Sequence, residues 1–547
     1  MCPPPGEVAL APRFTEAWLA GRPAARALLP LDPWCGPDRA AAVREAVGRS
    51  VSAEVLAALT AMDARATPSD ARRGHLDALA RGGAAAVLTG QQAGLWLGPL
   101  YTFYKAAHAV CLARWLSAEQ GVAVVPVFWV ASEDHDHAEA AECGLPGDGA
   151  EPLRVRVAAP DERPVPMACR TLGPEIAEHN ETLRRELDGL PAADEVLALV
   201  ERHYAPGVTW AAAFTGMLAE LFADEGLLVL DPRDPHALAA ALPVHRRAFA
   251  EAEAIAGALE ARVRELRRHD FDAPVHVRPG APLSFVHPEG PEGPRYRVEA
   301  ADGGYALVGG GERGLVPAAT VEAWLASEPW RFSSSALLRP LVQDLLLPTA
   351  ATVGGPGELA YLAQTTSLYT HFGRPMPLLA PRARFRVVGP REQRLCAALG
   401  LEPDDAALPR AELLARVGAT RRPEGLPAPE GLEERLLAPV RAELLALRSA
   451  GERLDRGLAK MVTRGEAALE KRMRRLANRY RRALAQRDSE TIARLDRLVG
   501  ALAPGGAPQE RVLGLPALAA REGLRSFKAR VLAACEPFPT RSEDIGP

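Results

Sequence analysis

At 547 residues the chain exceeds the size at which a single hydrophobic core keeps growing, so two or more modules are expected. Hydrophobic residues at 48% and charged residues at 24% are ordinary for a globular protein, and a net charge of −4 gives no global case for nucleic acid or an anionic membrane, leaving only local charge to matter. No run of 18 or more apolar residues appears, the opening residues lack a signal-peptide pattern, and the seven cysteines form no C-x-x-C pair; a cytoplasmic, reducing setting is expected, with no membrane span, disulfide framework or thiolate zinc site.

Residues 1–80 read as a helical lead-in, rich in Ala, Leu, Arg and Glu from 37 onward. The period then changes: 84–88 (AAAVL) is a short apolar run, the mark of a strand buried on both faces. A glycine-rich turn follows, and from Leu100 the spacing of Phe103, Ala107, Val110 and Cys111 is helical until Gly121. Residues 122–130 (VAVVPVFWV) form a second strand, so strand, helix and strand make a βαβ unit and predict a parallel sheet. Pro126 predicts a bulge or a sheet edge at that strand. Similar strands are expected at 226–231, 346–353 and 376–379, with a helix over 358–369.

The α/β core is placed at 81–400, with insertions at about 150–210 and 240–330, the second β-rich through PLSFVH, RYRVEA and GYALVGG. A helical arm spans 401–505. In it Leu437, Val440, Leu444, Leu447, Gly451, Leu454, Leu458 and Met461 keep a 3-4 heptad spacing that predicts a coiled coil and a dimer interface. A short helical tail, 506–547, closes the chain.

Three stretches carry chemistry. In GQQAGLWLGPLYTFYK, glycines between a strand and a helix let backbone N–H groups approach an anion at the helix N-terminus. Its spacing matches neither dinucleotide nor P-loop fingerprints. Lys105 within it is the sole lysine before residue 460, in a chain with four lysines among 65 basic residues. Next, SEDHDH after the second strand groups Glu133, Asp134, His135, Asp136 and His137, able to bind Mg²⁺ or an amine, or to act as acid and base. Third, Arg339, Gln343 and the GGPGE turn at 354–358 again bring glycines from a strand to a helix start, with Glu358 in its first turn.

Together VLTGQQAGLWLGPLYTFYKA, VPVFWVASEDHD, RPLVQDLLLPTAATVGGPGELAYLAQ, MPLLAPRARF and PQERVLG resemble the cysteine-adding enzymes of bacillithiol biosynthesis, the BshC family, in order from about residue 10 to the C-terminal tail. The resemblance implies a Rossmann-like core with connecting-peptide insertions, a dimerising coiled coil, and a ligase that joins L-cysteine to the amine of glucosaminyl malate. Amide formation calls for an activated carboxylate, an adenylate or an acyl phosphate, so ATP with Mg²⁺ is the candidate co-substrate, with activation by another route left open. In that setting Glu133, Asp134, His135 and Asp136 supply the base, the amine holder or the Mg²⁺ site. Gly90, Gln91, Gln92, Gly94, Gly98, Tyr101, Lys105, Arg339, Gln343, Gly354, Gly355, Gly357, Glu358 and Arg382 line the substrate or nucleotide, with Lys105 as the cation near phosphate. Nucleotidyl transfer on the same fold and a metal-dependent hydrolase centred on 133–137 stand as alternatives.

Overall fold

A computed structural model describes residues 12–159, 161–309, 312–420 and 425–546, so the first eleven residues of the expected lead-in lie outside the described residues. Strands β1 (Ala85–Gln91) and β2 (Val124–Val130) flank the helix Tyr101–Gln120. The hairpin β3 (Glu142–Leu145) and β4 (Leu153–Arg156) follows, then β5 (Leu228–Leu230). An inserted group comes next: β6 (Ser284–Val286), β7 (Tyr296–Ala301), β8 (Gly304–Gly309), β9 (Glu312–Pro317) and β10 (Phe332–Ser334). The chain returns to the core with β11 (Thr349–Gly354) and β12 (Leu378–Pro381), and ends with β13 (Arg384–Val387) and β14 (Ser542–Ile545).

The core sheet is parallel, in the order β12-β11-β1-β2-β5. It is covered on both faces, which is why its strands read as continuous apolar runs. Along β2, Phe128 and Val130 enter one core while Val125, Val127 and Trp129 enter the other, the period-2 alternation of a strand. Each such fully buried side chain contributes about 1.5–3 kcal/mol. From β1 the chain proceeds outward through β2 and β5, then crosses to β11 and β12 on the other side. The topological switch point therefore lies between β1 and β11, where ligands of such sheets bind.

Pro126 departs from the expected bulge or edge. It lies in an interior strand in unbroken register with β1, opposite Val87. Pairing with β5 starts only at Val127 opposite Leu228, so no ladder bond is lost on that side. The second insertion is the antiparallel sheet β10-β6-β7-β8-β9, and its closing strand β10 returns Ser334 toward the core.

The arm is an antiparallel hairpin of helices Leu432–Leu454 and Arg456–Gln486. The expected heptad run does not continue across it, because the chain breaks at Asp455 (φ −161°), whose carboxylate accepts from Gly457 N at 2.8 Å. This N-cap outweighs a spacing that continues by coincidence. Leu437 and Gly451 face inward, whereas Leu454 and Met461 are 80% and 64% exposed. A Cβ on Gly451 would meet Ala459 N at 2.8 Å, so glycine permits the close crossing near the hairpin tip. The C-terminal segment is not a peripheral tail. Leu513, Leu515, Leu518, Phe527 and Val531 are buried in the main core, and β14 pairs in parallel with β13.

Candidate active site at the carboxyl edge of the parallel sheet

A cleft of about 520 Å³ opens at the switch point, walled by the segments that leave β1, β2, β11 and β12. Gly90, Gln91, Gln92, Tyr101 and Lys105 line one side; Glu133 and Asp134 a second; Arg339, Gly355, Gly357 and Glu358 a third; Arg382 stands at the end of β12. Residues separated by nearly 300 positions are brought together by strand order alone.

Lys105 ends among acceptors: Gly90 O at 2.7 Å, Gln91 Oε1 at 3.0 Å and Glu358 Oε2 at 2.7 Å. All three ammonium hydrogens are thus engaged, and the lysine serves as a buried brace between β1 and β11 rather than as a cation left over for phosphate. Burial lowers its pKa against the opposing pull of Glu358. The other oxygen of Glu358 accepts from Arg339 Nη2 at 3.1 Å, and Tyr361 joins both. Burial pushes the Glu358 carboxyl up, but Lys105 and Arg339 outweigh it and hold the group below its usual range.

On the same helix as Arg339, Asp344 is buried and receives the Tyr369 hydroxyl. Burial raises its pKa to about 6, with Tyr369, Thr349 and Arg49 offsetting part of the cost. A carboxyl raised on folding adds stability below its unfolded pKa, and that contribution is lost as pH rises through about 6. Asp344→Asn keeps an oxygen for Tyr369 and removes the charge. It is expected to be more stable than the parent at pH 7.5, by roughly 2–3 kcal/mol, and equal to it at pH 4; urea unfolding at the two pH values measures this, and parity at pH 7.5 would contradict it.

The five ionisable residues 133–137 diverge instead of converging. Glu133 Oε2 accepts from Ser334 Oγ at 2.9 Å and Ser334 N at 3.2 Å, and burial raises its pKa. Asp134 accepts from Gln92 Nε2 at 2.6 Å and Arg295 Nη2 at 2.8 Å. Burial raises it too, but Arg295 and Gln92 prevail and hold it below the usual carboxylate range. His135 stands beside the cleft, its Nδ1 accepting from Arg295 Nε at 2.7 Å, which fixes the neutral tautomer. Asp136 caps the short helix His137–Ala140, and His137 packs edge-on to Trp210. Asp136 and His137 thus serve local structure, and among the described residues no group of three or more His, Cys, Asp or Glu is placed to hold a metal ion.

The tip of the glycine turn also departs from its expected role. Gly94 and Gly98 pack on one another, a Cβ on Gly94 meeting Gly98 Cα at 2.8 Å, and Gly94 O accepts the Tyr204 hydroxyl at 2.6 Å. They hold a buried loop in which Trp96 and Leu97 take positive φ. The start of the following helix is covered, since Leu100 N donates to Leu513 O at 2.9 Å. The helix start that borders the cleft is instead Pro356–Gln364, whose Gly357 and Glu358 N–H groups have no intrahelical acceptor. Gln343 and Gly354 are buried behind the cleft, Gln343 bracing Arg339 at 3.0 Å.

Several lining residues escaped the sequence reading. Arg295 immediately precedes β7 of the inserted sheet, and Ser334 ends its closing strand β10. Glu139 and Arg511 complete the rim. Arg511 falls within PQERVLG, whose Glu510 grips Arg382 bidentately at 2.8 and 2.5 Å. That motif was the available signal; Arg295 had none beyond its strand.

The model of the BshC N-terminal Rossmann-like domain of bacillithiol biosynthesis matches residues 37–383, and that of the BshC C-terminal coiled-coil domain matches 387–538. This chain belongs to the BshC family. Relatives named "Putative cysteine ligase BshC" include those of Koribacter versatilis, 35% identical with 88% of this chain and 87% of the relative covered, and Solibacter usitatus, 34% identical with 84% of each covered. That of Salinibacter ruber is 31% identical over 88% of this chain and 86% of its own. The arginyl-tRNA synthetase of Thermus thermophilus aligns at a TM-score of 0.22 and 12% identity over 87% of this chain and 86% of that one, too weak a likeness to carry an argument. The BshC match agrees with the Rossmann-like core and coiled-coil arm expected from sequence. No helix among the described residues is long and apolar enough to cross a membrane.

Proposed function

We propose that this BshC-family chain is a cytoplasmic ligase that joins the carboxyl group of L-cysteine to the amine of glucosaminyl malate. The supporting observation is the adjacent pair Glu133 and Asp134, whose pKa values are pushed apart, the first up and the second down. Two carboxyls set in opposite directions divide acid–base work between them. Asp134 stays ionised and holds the substrate ammonium. Glu133, raised by burial, takes a proton from that ammonium and frees the lone pair, which forms the amide C–N bond as the activated carboxyl's bond to its phosphate leaving group breaks. ATP with Mg²⁺ is the activating co-substrate in this reading. The Gly357 and Glu358 N–H groups and the Arg382 and Arg511 guanidiniums are the groups that would face its phosphates.

The test is to incubate the purified protein with glucosaminyl malate and cysteine, with and without ATP–Mg²⁺, and to seek the coupled thiol by mass spectrometry. Coupled product supports the reading. Pyrophosphate without amide would favour nucleotidyl transfer, and substrate cleavage that stops on chelation would favour the hydrolase. Folded protein giving no product under any condition would overturn it.

We further propose that the chain dimerises through its arm, where Val440, Leu447, Leu454 and Met461 remain exposed and would be covered by a second copy. Leu447→Glu with Leu454→Glu is expected to convert a dimer to a monomer in sedimentation equilibrium. A parent mass that stays monomeric at all concentrations would refute this.

A further inference from the structure

The helix Arg456–Gln486 carries ten Lys and Arg against two Glu, a balance of +8 in a chain whose net charge is −4, so the remainder carries −12. Both acids are drawn away from the outer face by the other helix of the hairpin: Glu466 pairs with Arg448 and Glu470 with Arg441. Arg481 is likewise turned inward, to Glu433. What stays outside is Lys460, Arg464, Lys471, Arg472, Arg474, Arg475 and Arg479, all exposed. Among the described residues none of these seven side chains forms a hydrogen bond or ion pair. Glu452 shares a shallow groove with Lys460 and Arg464 without pairing to either.

Helical geometry aligns these charges. At 3.6 residues per turn, Lys460, Arg464, Lys471 and Arg475 fall within an arc of about 60°, with Arg472 and Arg479 on its flank, over a length of roughly 29 Å. A solvated helix face ordinarily intersperses acids, because like charges at i,i+4 destabilise a helix. Here 460/464, 471/475 and 475/479 are all such pairs, uncompensated.

We propose that this stripe is a docking surface for a nucleic-acid phosphate backbone. A narrow row of cations fits a rod-like polyanion, which can touch the stripe alone. A flat anionic bilayer would also face the net-negative remainder of the molecule, and repulsion there would oppose contact. Single strands and duplexes share the phosphate chemistry, and the row reads no bases.

The test uses the full chain with a fluorescein-labelled 20-nucleotide RNA and a 20-base-pair DNA duplex, read by anisotropy from 50 to 200 mM salt. With four to six phosphates neutralised, affinity is expected to fall on the order of 10²–10³-fold across that range. Lys460→Gln, Arg464→Gln, Lys471→Gln and Arg475→Gln combined should weaken binding more than tenfold and flatten the salt slope, with helical circular dichroism retained. The charge-preserving Lys460→Arg with Lys471→Arg should bind like the parent. No binding at 50 mM salt by the folded chain, unchanged binding by the fourfold variant, or tighter binding to vesicles of 30% phosphatidylserine in phosphatidylcholine than to either oligonucleotide would overturn the proposal.

Discussion

Asp134→Asn is expected to lower the rate of amide formation by ~10²–10³-fold while leaving the fold intact. The carboxylate sits at the centre of the acid loop, gripped by Gln92 and Arg295 and held ionised by them. Asparagine preserves shape but loses the charge that would hold a substrate ammonium, and positioned electrostatic contacts of this kind are worth ~3–4 kcal/mol in the transition state. It also leaves Arg295 buried without its carboxylate partner, so an exposed loop and a strained guanidinium must be separated from lost chemistry. Arg295→Lys makes that separation: it retains a cation near Asp134 but lacks the planar fork that reaches Asp134 and His135 from two separate nitrogens. The expected pattern is a strong loss in Asp134→Asn at temperatures well below its lowered thermal midpoint, where the variant is still folded, and an intermediate loss in Arg295→Lys. Near-parental turnover in Asp134→Asn, measured by mass spectrometry of the coupled thiol, would remove this residue from the mechanism. Glu133→Gln adds a pH criterion. Because burial raises Glu133, the parent rate should fall on the acid side at a higher pH than an ordinary carboxylate would give, and the glutamine variant should lose that limb.

The parts of this arrangement that depend on local pattern were visible in the sequence. Apolar runs that alternate with one helix announced a parallel sheet, and the residues just beyond its strands (Gln92, Asp134, Glu358, Arg382) do line one cleft. What pattern could not convey was direction. Gly94 and Gly98 have the composition of an anion-binding turn, yet the chain that covers them arrives from residues 513–514. Lys105 stands in the expected place, but whether a lysine faces a ligand or a carboxylate depends on Glu358, some 250 positions away. Arg295 and Ser334 come from the inserted sheet, whose strands look like any solvent-facing hairpin until β10 folds back on β6. In the arm, the 3-4 spacing from Leu437 to Met461 survives the turn at Asp455 unaltered, so periodicity alone could not reveal two helices; the Asp-x-Gly cap could.

Glu358→Ala is expected to destabilise the protein by ~3–5 kcal/mol, the cost of leaving buried charge without its partner. One carboxylate serves two cations here, Lys105 on the β1 side and Arg339 on the β11 side, and all three side chains are largely shielded from water. Their worth is therefore asymmetric. Lys105→Met removes one cation yet leaves Glu358 paired with Arg339, and should cost about 1–2 kcal/mol. Removing Glu358 takes the carboxylate from both cations and leaves the uncharged acceptors Gly90 O, Gln91, Gln343 and Tyr361 to receive their hydrogens. Urea unfolding of the two single variants and of Lys105→Met with Glu358→Ala closes a double-mutant cycle, and the double variant should be less damaged than the sum of its parts. The pH dependence has a definite sign. Because the folded-state pKa of Glu358 is depressed, its contribution is present above the unfolded carboxylate pKa and lost as pH falls through the lower folded value. The gap between parent and Glu358→Ala should thus be widest near neutrality and close on acidification below about pH 4. Equal costs for Lys105→Met and Glu358→Ala, or a gap that ignores pH, would mean that the switch point is held by packing and that this charged triad is incidental to it.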